Sequence, residues 1–428
     1  MTAVGLSRAD PKPGRIPFGK AFGATFLLAG TQLGAGILAM PIVSADMGFE
    51  FAAGACIILW ALLTYTGLMM LEVCLAFPNG SEFQDIARVL FGRKGALVIN
   101  IVTMLLLFTL SASYISGASS TYQHDLTSLF GVHVPPWLVA VVYTAVIATV
   151  VTAGAKAADH ANRVFFAINL LILIALVVTI EPSIHFAYLG ERSGQWVFIW
   201  TALPVLMTAF GFHTTIPTVV NYVGPANPRG LRGIFIVGGL IPLAAYLGWI
   251  FVSLGALPRT GAHSFQTVQQ QGGSVGPFLS QVAATVRSAT VPELVAVFSS
   301  VVLITSYLAL SLSLSDILRA SMPKNWSSVK RRAIVSLLCF VPPLAVATVY
   351  PNGFVVMLSV SAIFACIMTI LFPTLSLWRL RSRGAKAFGL VPPRYQVMAS
   401  WGLYVASVAA GAAIIVIQVL NLVHALPT

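Results

Sequence analysis

Apolar positions recur along this chain in unbroken runs of about 20 residues, and short clusters of Gly, Pro, Ser and charged residues separate the runs. Runs and breakers together predict eleven membrane spans, at roughly 22–43, 52–77, 96–118, 137–153, 164–181, 197–221, 234–254, 292–318, 333–350, 354–378 and 400–420. The second ends at "FPNGSEF", and the fourth starts after Pro135 and Pro136. The ninth and tenth are separated only by Pro351 to Gly353, a turn too tight for anything but antiparallel neighbours. The expected fold class is an all-α polytopic membrane protein.

Two of the runs are interrupted. The first, "FGATFLLAGTQLGAGILAMPIV" (Phe22 to Val43), carries Gly30, Gly34 and Gly36 at its middle and then Pro41. The sixth contains "LPVLMTAFGFHTTIPTVVNY" (Leu203 to Tyr222), with Gly211 and Pro217 in corresponding places. A bilayer has no water for opened amides and carbonyls, so such breaks persist only where the backbone is buried in protein or lines a cavity. Interrupted apolar segments in matching places of two halves point to a transporter's binding site. The plainer alternative is a small-residue packing face for a neighbouring helix. A break followed by proline in both halves favours the site.

Spans 1–5 (22–181) and 6–10 (197–378) then read as two repeats. An odd number of spans per repeat inserts the second upside down, which places the two broken spans opposite each other. The eleventh span, 400–420, stands outside the repeat. Residues 1–21 read as a cytoplasmic tail and 421–428 as an external one.

Composition supports a membrane protein and adds orientation. The chain is 58% hydrophobic and 8% charged, where soluble domains carry about 25% charged residues. The net charge of +12 does not call for nucleic acid, because its distribution is one-sided. All Lys and Arg residues except Arg192, Arg259 and Arg287 fall on the side of the N-terminus. By the positive-inside rule that side is the cytoplasm, here of a bacterial inner membrane, and the C-terminus is external. Residues 1–19 lack the apolar core and cleavage site of a signal peptide. The four cysteines lie inside spans and suggest packing rather than disulfides.

The chemistry of the breaks suits a zwitterion. Half-helix N-termini present amides and partial positive charge to a carboxylate, and opened carbonyls suit an ammonium or a coupling cation. No Lys or Arg lies deep in a span to meet a phosphate or dicarboxylate. An amino acid is the expected substrate, bound by backbone groups of Thr31, Gln32, Gly34, Ala35 and Gly36 and of the second break at Phe210, Gly211, Phe212, His213 and Thr214.

The segments Ala29 to Pro41, Leu68 to Val73, Thr208 to Tyr222 and Phe340 to Phe354 resemble the hydroxy/aromatic amino acid permeases. That family belongs to the amino acid–polyamine–organocation superfamily with the leucine-transporter-like fold, and the chain is most similar to bacterial tyrosine-specific permeases. The resemblance runs from near Phe18 to the last span. It implies a proton-driven symporter for tyrosine, tryptophan or serine/threonine, with no covalent cofactor, whose partners are the amino acid, the coupling ion and the lipid bilayer. It also implies that Tyr114 places a hydroxyl near the substrate carboxylate. Thr305, Ser306 and Ser311 on the eighth span keep a sodium site open as the alternative coupling.

Few ionisable groups lie within spans. Glu72 is late in the second, and a carboxyl in low dielectric is a natural proton carrier; the alternative is a glutamate satisfied near the cytoplasmic end. His213 sits in the second break, where it either meets substrate and proton or holds the break open. Asp316 ends the serine-rich eighth span and is a proton-coupling candidate, with a helix-face pair to Arg319 as the alternative. Phe108, Phe210 and Phe212 are candidates to shape an apolar pocket. A membrane enzyme needs a nucleophile–base pair, metal cluster or carboxylate pair, and the dispersed ionisable groups here offer none. The long outer loop 255–291 reads as either a gate or a connector.

Overall fold

The computed structural model describes residues 16–153, 155–286, 288, 290–323, 325–393 and 395–423, with backbone alone for 128–130, 153 and 155–166. Arg8, Lys12, Arg15, Arg287, Lys324 and Arg394 of the charge pattern lie outside the described residues, as do the side chains of Lys156 and Arg163.

Every regular element among the described residues is helical. The first span is two helices, α1 (Phe18–Gln32) and α2 (Gly36–Ser44), bent by 53° across three residues. The chain continues through α3 (Phe49–Ala76), α4 (Phe83–Phe130), α5 (Pro136–Ala153) and α6 (Ala155–Ile180). A short helical turn α7 (Phe186–Leu189) leads to α8 (Val197–Ala209) and α9 (Ile216–Val223), the two parts of the sixth span. Then come α10 (Pro228–Ala256), the short loop helices α11 (Phe265–Gln270) and α12 (Val275–Thr285), α13 (Val291–Ser321), α14 (Ser328–Val349), α15 (Phe354–Cys366), α16 (Phe372–Arg383) and α17 (Trp401–Leu422).

Eight helices among the described residues are long and apolar enough to cross a membrane, and the bent α1–α2 pair makes a ninth. Two shorter apolar helices, Pro136–Thr152 and Ala167–Ser183, occupy the places of the expected fourth and fifth spans. Several boundaries differ from the expectation. Ahead of the third span a separate helical segment, Phe83–Phe91, ends at Gly92, whose φ of 77° breaks the helix, so the long apolar helix begins just after Gly92, close to the expected start at 96. The expected tenth span is α15 and α16 joined by a π-turn at Ile367–Leu371, next to Pro373, whose missing N–H disturbs the ladder.

Burial separates interior helices from those facing lipid. The apolar windows of α14 and α17 are only 28% buried, against 61% for α3. Large apolar side chains such as Ile58, Val142, Leu171 and Leu337 point outward, the inverse of a soluble surface. The interior holds Tyr246, Trp249, Phe210, Phe212 and Tyr307, all fully buried. Here α10 packs on α1, α2 and α3, and α13 and α15 pack on α4. The broken helices therefore run through the centre of the bundle. The loop helix α12 docks on α4, where the Gly276 amide donates to Ser120 Oγ at 3.0 Å.

Candidate functional site

The first break is Leu33 to Ala35. Its backbone is not left open: Leu33 N–H donates to Ala29 O at 3.0 Å and Gly34 N–H to Gln32 O at 2.7 Å. The Ala35 amide donates out of the segment to Ser306 Oγ on α13, at 2.9 Å. A methyl group at Gly34 would lie 3.2 Å from Ser306 Oγ and 3.5 Å from the Tyr114 hydroxyl. Glycine at 34 thus lets the break, α4 and α13 meet at one point, and three residues singled out in the sequence come together there.

The second break lies beside the first. A methyl at Gly36 would sit 3.2 Å from Ala209 Cβ, so the start of α2 touches the end of α8. Phe210 to Phe212 leave the helix, His213–Thr215 form a 3-10 turn, and α9 resumes with Pro217 in its first turn, where a missing N–H costs nothing. Phe210 and Phe212 are buried, and the Phe212 ring lies 4.8 Å from that of His213. His213 Nε2 is 3.0 Å from Thr66 Oγ1 of α3. The Thr66 hydroxyl also reaches the Leu62 and Leu63 carbonyls at 3.2 Å. With its hydrogen turned to its own helix, Thr66 accepts from Nε2–H, which leaves Nδ1 a buried lone pair. Nδ1 has no hydrogen-bond partner among the described residues. Such an acceptor suits a proton or a donor on a ligand.

One residue on α10 joins the breaks. The Tyr246 hydroxyl contacts Gln32 O, the last carbonyl of α1, and Ala209 O, the last carbonyl of α8, the latter at 2.9 Å. A tyrosine in an apolar helix carries no sequence signal of this kind, and Tyr246 escaped the sequence reading. Gly67 and Thr66 escaped it for the same reason.

Other expected residues lie elsewhere. Thr31 is exposed and its hydroxyl turns back to Leu28 O at 2.8 Å, so its side chain is occupied by its own helix; Thr214 is also exposed. Gln32 is buried, with Nε2 bonded to Leu28 O at 3.4 Å. Thr305 bonds back to Val301 O at 2.7 Å, and the carbonyl of buried Ser311 accepts from the Cys339 thiol at 3.6 Å. Asp316 is exposed and forms no ion pair among the described residues, with Arg319 or otherwise. Ten residues of helix put it about 15 Å along α13 from Ser306.

Glu72 is 1% exposed and fully engaged. Its two oxygens accept from Arg381 Nε at 2.8 Å and a terminal Arg381 nitrogen at 2.6 Å. The Val397 amide donates to the same carboxylate at 2.7 Å, and Arg381 donates to Val397 O at 2.8 Å. The Tyr65 hydroxyl donates to Met398 O at 2.8 Å. A bidentate pair with a backbone amide is a strong way to hold a carboxylate. It fastens the segment between α16 and α17 onto α3. Glu72 lies about 7.5 Å along α3 from Gly67, beside the second break.

A sequence profile of the tryptophan/tyrosine permease family matches residues 19–418. Tyrosine-specific transport system 1 of Haemophilus influenzae is 31% identical over 85% of this chain and 88% of that protein. The tryptophan-specific transport protein of Pseudomonas aeruginosa is 29% identical, covering 87% of this chain and 88% of its own. A crystal structure of the Eremococcus coleocola manganese transporter, in complex with an aromatic bis-isothiourea substituted compound, aligns with a TM-score of 0.63. That alignment covers 97% of this chain and 90% of the other at 12% identity, a likeness of fold alone. The fold is leucine-transporter-like, and these relatives are transport proteins rather than enzymes.

Proposed function

The chain belongs to the tryptophan/tyrosine permease family, and from that premise we propose that this integral membrane protein is a secondary active transporter importing an aromatic amino acid, tyrosine first, by proton symport. The observation that carries the reading is the contact between the two broken helices, with Gly36 against Ala209. Around that contact are both kinds of group a zwitterion needs. The first turn of α2 and the Tyr114 hydroxyl beside Gly34 suit the carboxylate; the carbonyl end of α8, whose Ala209 oxygen keeps a second lone pair beside its bond from Tyr246, suits the ammonium. Phe210 and Phe212 supply apolar walls for an aromatic side chain.

Proton coupling is favoured over sodium by how the hydroxyls are used. Ser306 Oγ accepts from the Ala35 amide, which takes one of its lone pairs, and Thr305 is turned to its own helix. His213 and Glu72 are the proton-handling groups of this reading. Asp316 plays no part in it, given its exposure and distance. Residues 22–181 and 197–378 form the inverted repeats. The N-terminus faces the cytoplasm of a bacterial inner membrane, in keeping with the one-sided Lys and Arg distribution.

The test is counterflow in proteoliposomes loaded with unlabelled amino acid. Labelled tyrosine should show a transient overshoot, with tryptophan next and serine and threonine below. A channel or a sensor gives no overshoot, and its absence for every amino acid tried would remove the reading. A larger signal for serine or threonine would move the substrate class.

A further inference from the structure

A helix ends with carbonyls that have no intrahelical donor and carry a partial negative charge. Both α1 and α8 end inside the bundle: Gln32 O accepts from the Gly34 amide as well as from the Tyr246 hydroxyl, Ala209 O accepts from Tyr246, and the two carbonyls point at one place. Two such ends aimed together repel unless a donor stands between them. The Tyr246 hydroxyl stands there, on a ring that is fully buried and held edge-on by Phe210 at 5.0 Å and 83°. The ring gives the hydroxyl little freedom, so the spacing of the two helix ends follows the tyrosine.

We propose that Tyr246 is a positioning residue of the transport site: its hydroxyl clasps the terminal carbonyls of α1 and α8 and holds the two breaks in the register that receives the substrate. The proposal rests on the transport reading above. A phenol has one hydrogen and serves two carbonyls, so it donates to each in turn. Without it the breaks separate or slide, and substrate binding must then restore their register. That penalty falls on binding.

The experiment is saturable tyrosine uptake into proteoliposomes by wild type, by Tyr246→Phe, and by a variant with 4-aminophenylalanine in place of Tyr246. Tyr246→Phe should raise KM about tenfold, the scale of one lost buried hydrogen bond, with Vmax per folded protein within about twofold. The aniline nitrogen carries two hydrogens for the two carbonyls, and KM should return to within about twofold of wild type. A residue that only fills space would not distinguish phenylalanine from its amino derivative. An unchanged KM in Tyr246→Phe, a fall in Vmax alone, or no rescue by the amino group overturns the clasp. If Tyr246→Phe does not reach the membrane, the amino variant decides alone: KM near wild type supports the clasp and a tenfold rise overturns it. Absence of uptake by wild type refutes the transport reading instead.

Discussion

Gly67 lets α3 pack closely on the Phe212 ring of the second break. A methyl group there would stand 2.6 Å from Cζ of Phe212, well inside contact distance, and overpacking of this kind costs about 1–3 kcal/mol. Gly67→Ala should therefore lower the melting temperature and cut tyrosine transport about tenfold or more, by pushing Phe212 and His213. Adding Phe212→Leu should recover part of the loss by making room. Transport by Gly67→Ala at the wild-type rate would show that the second break does not need this approach. Residues of this kind were hidden in the sequence because nothing about one glycine or threonine in an apolar helix is unusual. His213 and Glu72 were visible because ionisable side chains are expensive in lipid. Their partners were not: Thr66 and His213 are 147 residues apart, Glu72 and Arg381 309.

At the scale of elements, the breaks were legible and the helix ends were not. Glycines with a following proline interrupt two apolar runs, and both interruptions are breaks in the structure. Arg88, Arg93 and Lys94 suggested a loop before the third span. Instead Phe83–Phe91 is a helix whose Phe91 ring lies under the Arg379 guanidinium, 5.3 Å away. The segment after α16 gave no sign that it would be strapped to α3. Beside it, half-buried Tyr395 has its phenol pushed up by burial, against the pull of Arg232. Removing one partner of a buried pair costs about 3–5 kcal/mol. Glu72→Gln should loosen the strap and speed chymotryptic cleavage at Tyr395 from the inner face. It should also reduce accumulation of tyrosine at least tenfold while counterflow stays within about twofold. Ordinary accumulation by this variant would take Glu72 out of proton coupling, and unchanged cleavage would take it out of the strap.

At the scale of the whole molecule, ion pairs stand on both sides of the breaks. Toward the end of α2, Arg259 Nε meets Asp46 at 2.8 Å and its amide donates to Glu191 at 2.6 Å, tying three connecting segments. On the other side is the pair of Glu72 and Arg381. Both are formed at once. In the proposed cycle, binding of substrate and proton lets one end open at a time. The asymmetry of Lys and Arg is the basis of the proposed orientation, because a missed span would have scrambled it. The ion pairs themselves were beyond reach, since each joins parts of the chain that only the fold brings together. A proton entering down the membrane potential supplies about 2.3 kcal/mol per 100 mV, enough to concentrate a neutral zwitterion.

The most direct test is labelled tyrosine uptake into proteoliposomes under imposed gradients, one ion at a time. With an inward proton gradient and no sodium, tyrosine should rise above its equilibrium level, and a protonophore should abolish the excess. Equilibration without accumulation, or accumulation only under a sodium gradient, would contradict a proton symporter built on the two broken helices.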